Sequence, residues 1–246
     1  MIGSAHVNRS RPFYTSRAEV YDLLVTDSVE PWVTAVAVRL SARDASGGKI
    51  LDAGCGTGRH AEALFGLGFE VTLADASPEL LRLAAERCPS ATAQIVDICQ
   101  LEPTASFDAV TCRGVLNDLV IDEEREAACH SLAGQLLPGG VLFLDVREPE
   151  GARERATNTP RSRRVELPDG GSLLFVSASR WADDRLLIHE EHEDRGPDGD
   201  LRDRDVYDFV MRPWSPGEIT DRLTRAGLKQ VSISAGVGRT TKTGGS

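Results

Sequence analysis

The chain has 246 residues, 41% of them hydrophobic, and carries 38 acidic against 28 basic residues for a net charge of -10. That length supports one domain with a full core plus an elaboration, and the acidic surplus argues against nucleic acid as a partner, since proteins that grip a phosphate backbone do so through basic patches that release counterions. With no apolar run of 18 residues, no apolar stretch after the first charges and no C-x-x-C among Cys55, Cys88, Cys99, Cys112 and Cys129, neither a membrane span, an export leader, a disulfide framework nor a zinc ribbon is indicated, so a cytoplasmic chain with buried thiols and no bound metal is expected.

Residues 1–45 read as helical. Ser16 is placed to cap a short helix with Glu19 as its capping-box partner, and Val20, Leu23 and Leu24 give that helix an apolar face flanked by Tyr14 and Tyr21. A further helix is expected over 31–40, with Pro31 in its first turn and Trp32 and Val36 turned inward. Ile50, Leu51 and Ala53 then form a short apolar run, as a buried parallel strand does, and lead into Gly54, Gly56 and Gly58. Such glycines allow positive φ and leave no Cβ to hold a ligand off, while the N–H groups that open the next helix, over 59–67, point outward. Arg59 stands where the dinucleotide pattern G-x-G-x-x-G needs its third glycine, which disfavours a pyrophosphate site. Residues 69–74 form a second strand that ends in Asp75, where a carboxylate accepts hydrogen bonds from a ribose diol. Ser77-Pro78-Glu79 starts the following helix, with a Ser cap, Pro at its first position and an early carboxylate.

Three stretches, Leu-Asp-Ala-Gly-Cys-Gly-Thr-Gly, Leu-Ala-Asp-Ala-Ser-Pro-Glu-Leu-Leu and Leu-Leu-Pro-Gly-Gly-Val-Leu, resemble successive signatures of the class I S-adenosylmethionine (SAM) dependent methyltransferases. The resemblance covers residues 14–146 and, more loosely, 213–234. It implies SAM as cofactor, with S-adenosylhomocysteine as product, held by Asp52, Gly54, Cys55, Gly56, Gly58, Asp75, Ala76, Asp97, Ile98 and Arg113. Asp97 would accept from the adenine amino group, unless it is an ordinary turn residue. Tyr14 and Tyr21 either belong to an N-terminal lid that excludes water from the cofactor, as in similar small-molecule enzymes, or simply pack.

A third strand is expected over 93–96 and a fourth over 107–112, with Arg113, Asn117 and Asp118 offering polar groups where donor and acceptor meet. The Asn/Asp-Pro-Pro-Tyr element of exocyclic nucleobase methyltransferases is missing there. After a helix over 122–136 comes a fifth strand over 141–146, from which Asp145 and Arg147 emerge, either as a structural pair or facing the acceptor. Residues 150–212 then alternate between extended runs and turns at Pro168-Asp169-Gly170-Gly171, Asp183-Asp184 and Gly196-Pro197-Asp198-Gly199, which predicts an inserted antiparallel sheet roofing the acceptor pocket. His189 and His192 lie in it. At i, i+3 on a strand they point to opposite faces and suit a shared metal poorly. Trp214 precedes a last helix capped by Ser215, Val231 to Ser234 read as a sixth strand, and either a seventh strand is missing from residues 236–246 or that tail reflects a truncation.

The expected fold is α/β, a Rossmann-like, doubly wound, mostly parallel sheet with an antiparallel insert after the fifth strand. Its parts are a helical lid (1–45), a SAM-binding core (46–149), the insert (150–212) and a closing helix and strand with an irregular tail (213–246). The expected activity is SN2 methyl transfer to an O or N atom of a small natural product, by a monomer or homodimer. Asp145, His189 and Asp118 are candidate bases, and Asn117, Arg147 and Trp214 candidate acceptor contacts. A protein or tRNA methyltransferase, an inactive SAM-binding subunit and a NAD-type reductase remain as rivals.

Overall fold

A computed structural model describes residues 11–42 and 47–234. Strands β1 (Lys49–Ala53), β2 (Glu70–Asp75), β3 (Thr92–Ile95), β4 (Phe107–Arg113) and β5 (Leu136–Asp145) form a parallel sheet in the order β3-β2-β1-β4-β5. The period-2 alternation of a strand sends neighbours to opposite faces. Ile50, Val71 and Leu73 thus enter one core with α2 (Glu30–Ser41), α3 (Arg59–Gly66) and α4 (Pro78–Arg87), while Leu51, Ala53, Val110 and Cys112 enter another with α5 (Asp122–Ala133) and α7 (Pro216–Arg225). Both faces are covered, as a parallel sheet requires. The strand order reverses between β1 and β4, and ligand crevices in such sheets open at that switch point, outside the strands' carboxyl ends.

The helix starts follow the sequence. Ser77 Oγ accepts from Leu80 N–H and Ser215 Oγ from Glu218 N–H, 3.0 and 3.1 Å away. The Ser16–Glu19 capping box does not form: Ser16 is exposed, Glu19 pairs with Arg82 of α4, and the segment folds as two short turns, Pro12–Tyr14 and Ala18–Val20, leading into the one-turn α1 (Tyr21–Leu24). β5 begins earlier than expected. Phe107 pairs with Leu136 and Ala109 with Val141, so the Leu-Pro-Gly-Gly stretch is an irregularity within the strand, with Gly139 at φ +84°, and α5 stops at Ala133.

The insert is a short helix, α6 (Pro149–Arg155), unforeseen in the sequence, and a four-stranded antiparallel sheet of β6 (Arg161–Glu166), β7 (Ser172–Ala182), β8 (Arg185–Arg195) and β9 (Leu201–Met211) in that order. Val231 to Ser234 form no strand: Ile233 is half exposed, and among the described residues β5 is the sheet's last strand. The tail expectation falls on residues outside those described.

Candidate active site

The three glycines of the loop after β1 do different work. A Cβ on Gly54 would overlap the Val115 side chain, and one on Gly58 would lie 2.9 Å from the Ala84 main chain, so both permit close packing. At Gly56, with φ +57°, nothing lies within 4 Å of where a Cβ would project. That is the open side of the loop. Asp75, 9% exposed, holds its shape: Oδ2 accepts from Gly56 N–H (2.8 Å) and Oδ1 from Ser77 N–H (2.9 Å), while burial raises its pKa against the backbone N–H groups of Ser77, Gly56 and Ala76. Beneath the loop, Asp52 Oδ1 accepts from Thr111 Oγ1 at 2.7 Å, and Oδ2 is buried with no partner. Burial pushes Asp52 up to about 6. An unmatched carboxylate oxygen at the foot of a loop with one open position is a place for a cationic group.

The N-terminal segment closes over this crevice. Ser77 Oγ donates to the Tyr14 carbonyl (2.5 Å), and Thr57 Oγ1 of the glycine loop donates to Asp22 of α1 (2.6 Å), which also accepts from Arg87 (2.7 Å). On the opposite side the segment lies along the insert. Arg11 forms a two-pronged pair with Glu190 (3.0 and 2.5 Å), Phe13 stacks on His192 with ring centres 4.4 Å apart, and Arg17 reaches Asp203 and Asp205 (2.8 and 2.7 Å). Burial alone would raise Glu190, but His192 and Arg11 outweigh it and hold the carboxyl below its ordinary range.

Asp118 sits under this lid, at the end of the turn Leu116–Asp118 after β4, and Tyr14 Oη donates to its Oδ2 at 3.3 Å. Arg11 in turn donates to the Tyr14 phenol at 3.2 Å. Burial pushes Asp118 up to about 6, although Arg11 and Tyr14 pull it down, and burial together with Asp118 raises the Tyr14 phenol. Tyr21 is raised as well, by burial first, against Arg11 and with Asp118, Asp22 and Asp75 adding to the shift. A carboxyl near 6 is poised between holding and releasing a proton at neutral pH.

The other expected site residues are distributed unevenly. Cys55 is buried in the loop, Ala76 is exposed beside Asp75, and Asp97 caps the turn Ile98–Gln100 by accepting from Cys99 N–H (3.0 Å) while the Ile98 side chain joins the core. Arg113 pairs with Asp145 (3.1 Å), contacts His60 and lies 5.8 Å from the Trp32 ring. The Asp145 partner is therefore Arg113 and not Arg147. Arg147 instead uses its main chain, its N–H donating to Asn117 Oδ1 (2.9 Å) and its carbonyl accepting from Trp214 N–H (2.8 Å). Asn117 is 2% exposed and Trp214 fully buried, with Nε1 donating to the Leu116 carbonyl and Arg125 3.6 Å over its ring. These two residues brace the loop from within and do not face an acceptor.

His189 lies on the outer face of β8, bonded to Asp208 at 2.8 Å and turned from the lid, whereas Glu190 and His192 occupy the inner face. The alternation expected for this histidine pair holds, and it removes His189 from the cleft. Sequence reasoning passed over Arg11, Asp22, Thr57 and Glu190. Their roles arise from contacts across 35 to 179 residues, with no local signal.

A methyltransferase-domain family profile matches residues 50–140. The chain is 38% identical over 202 residues to a ubiquinone biosynthesis O-methyltransferase of Xanthomonas axonopodis pv. citri (strain 306), an alignment covering 79% of this chain and 69% of that protein. Its match to the protein of the same description in Xanthomonas oryzae pv. oryzae (strain PXO99A) spans 46% of that protein's length and 43% of this chain, also at 38% identity. Among solved structures it superposes on DesVI of Streptomyces venezuelae with a TM-score of 0.74 at 26% identity, covering 87% of this chain and 90% of the other. It superposes on SAM-bound CalS10 of Micromonospora echinaspora, an amino pentose methyltransferase involved in calicheamicin biosynthesis, with a TM-score of 0.68 at 27% identity, covering 82% and 84%.

Proposed function

This chain belongs to the class I SAM-dependent methyltransferases, with SAM as their cofactor, and from that premise we propose that it methylates an oxygen or nitrogen atom of a small natural product. The relatives support the acceptor class, one being a ubiquinone biosynthesis O-methyltransferase and another an amino pentose methyltransferase. The observation that carries the reading is Asp118, a buried carboxyl near 6 at the carboxyl edge of β4, enclosed by a lid tied to the glycine loop. An intact, latched lid suits an enzyme better than an inactive SAM-binding subunit.

The residues around the crevice fit the cofactor. The open position at Gly56 admits its methionine end, the unmatched Asp52 oxygen suits its ammonium, Asp75 its ribose hydroxyls, and Asp97 with the Ile98 main chain its adenine. Bound there, SAM supplies an electrophilic methyl carbon on a good leaving group. The chain's own work is then alignment and water exclusion: the lid holds reactants at near-attack distance, and Tyr14 orients Asp118. Asp118 takes the proton from the acceptor O–H or N–H as the methyl bond forms. Asp145, bound to Arg113, and His189, on the outer face, are less suited to that role.

The test is incubation with methyl-labelled SAM and a panel of hydroxylated and aminated metabolites. Label in a low-mass product is expected. SAM binding without label in any low-mass compound would count against the reading.

A further inference from the structure

Four side chains from three parts of the fold form one line of hydrogen bonds beneath the lid. Glu190 of β8 accepts from Arg11 in two-pronged fashion (Nε to Oε2 3.0 Å, Nη2 to Oε1 2.5 Å), Arg11 Nη1 donates to the Tyr14 phenol (3.2 Å), and that phenol donates to Asp118 Oδ2 (3.3 Å). The insert supplies the first member, the lid the middle two and the turn after β4 the last.

The line is enclosed where it begins. The Glu190 and Arg11 side chains are 3% and 14% exposed, and beside them His192 is fully buried, with Nε2 3.7 Å from Glu190 Oε2 and its ring stacked on Phe13. The Arg11 guanidinium lies 4.5 Å from the Phe209 ring and 5.2 Å from that of Tyr14. Arg11 therefore has a seat of one carboxylate and two rings on the lid–insert boundary.

Charge gives Glu190 its use. Burial works to lower the Arg11 pKa, and Tyr14, Glu190 and Asp118 outweigh it, so the guanidinium stays charged. Left alone in this enclosed space, that cation would hold Asp118 as a carboxylate and blunt it as a base, since burial raises Asp118 whereas Arg11, Tyr14 and Arg147 lower it. Glu190 acts in the opposite sense to Arg11 and raises it. Arg147 is exposed after β5, Tyr21 approaches from α1, and Tyr207 stands opposite Glu190 on β9. Arg212, whose N–H meets the Asn117 carbonyl, pairs with Asp122, Asp184 and Glu218.

We propose that Glu190 is a positioning residue for methyl transfer, taking up the charge of Arg11 so that Arg11 aligns the Tyr14 phenol on Asp118 without weakening Asp118 as a base. The proposal rests on the reading of Asp118 as the base and adds the insert residue that tunes it. Both middle members ride on the lid, so the line is complete only when the lid is seated on the insert.

The experiment follows the Asp118 carboxyl by carbon-13 NMR in the full chain labelled at aspartate, its signal being the one missing from Asp118→Asn. Beside it runs the initial rate of label transfer from methyl-labelled SAM to metabolite extract. Glu190→Gln removes the compensating charge and should move the Asp118 midpoint down, while Arg11→Gln removes the cation and should move it up, each by roughly half a pH unit to one unit. Glu190→Asp, which keeps the charge, should return the midpoint toward the wild type. The doubly neutral Arg11→Gln/Glu190→Gln buries no unpaired charge and keeps the test open where a single variant melts early. It should titrate close to the wild type yet transfer label about tenfold more slowly, because the phenol is no longer held. Shifts of the same sign in the two single variants, no shift in Glu190→Gln, or a wild-type rate in the double variant would each overturn the proposal. Carbon-13 shifts as expected in a chain whose wild type transfers no label would instead overturn the methyltransferase reading.

Discussion

The Tyr14 phenol donates to Asp118 Oδ2 across 3.3 Å, joining the N-terminal segment to the end of β4 over 104 residues of sequence. The bond has a chemical consequence as well as a structural one. A phenol raised by burial remains a proton donor, and it fixes the carboxylate orientation without competing for its charge.

Asp118→Asn is expected to lower kcat by roughly 10²- to 10⁴-fold, the range for one positioned base, with SAM affinity retained. A base works as the carboxylate, so wild-type activity should climb as pH rises through about 6. The variant should lose that limb. A pH–rate profile that keeps its acid limb in Asp118→Asn would assign the titration elsewhere.

Asp52 gives a stability prediction. Its folded pKa, about 6, lies above the ordinary 3.8, so its contribution is fully present below pH 3.8 and lost as pH rises through 6. The charged form then costs on the order of 3 kcal/mol at neutral pH, and Asp52→Asn should be more stable there, with a flatter pH dependence of unfolding between 4 and 6. Its SAM affinity should fall. Denaturant melts across that range, beside a SAM titration, decide both points.

The lid latch predicts a binding defect. Thr57→Val removes the donor to Asp22, and SAM should dissociate about tenfold faster, the worth of a hydrogen bond to a charged group. Stopped-flow release measures it, and an unchanged rate would free the lid from this contact.

Gly54 and Gly56 should respond differently to alanine. Gly54→Ala drives a methyl into Val115 and should lower the melting temperature, with partial rescue by Val115→Ala. Gly56→Ala meets open space in the protein, so it should cost roughly 1–2 kcal/mol for its positive φ and far more in SAM affinity. Equal SAM affinity in Gly56→Ala and wild type would place the cofactor elsewhere.

Arg125 is fully buried, stacked on Trp214, paired with Glu218 at 3.0 Å and bonded to the Arg212 and Pro213 carbonyls. Arg125→Ala empties the space over the Trp214 ring and leaves the Arg212 and Pro213 carbonyls unmatched, while Glu218 keeps Arg222, and should cost roughly 2–4 kcal/mol. Thermal unfolding tests it, and a melting point within a degree or two of wild type would show the site relaxes.

The strand, glycine turn and helix at 49–66, the acid at position 75 and the serine caps at 77 and 215 were legible from residues alone, because each follows from local rules: glycine's access to positive φ, the two-residue period of a strand, and a side-chain oxygen meeting an unpaired N–H. The antiparallel insert followed from the same patterns and the doubly wound parallel sheet from the family resemblance, while the strand order came with the structure. Which of Asp118, Asp145 and His189 faces the cleft did not, since a strand's alternation separates His189 from His192 without saying which side is inward. Trp214, an aromatic next to a helix cap, was indistinguishable in sequence from an exposed acceptor contact, and only the packing of α5 against α7 buries it beneath Arg125. Arg11 finds Glu190 across 179 residues, and Arg163 of β6 finds the Leu24 carbonyl of α1 across 139. Burial and opposing charge are properties of neighbours in space, so the sequence determined the scaffold and the cofactor loop, and tertiary contact alone decided which charged side chains lie beneath the lid.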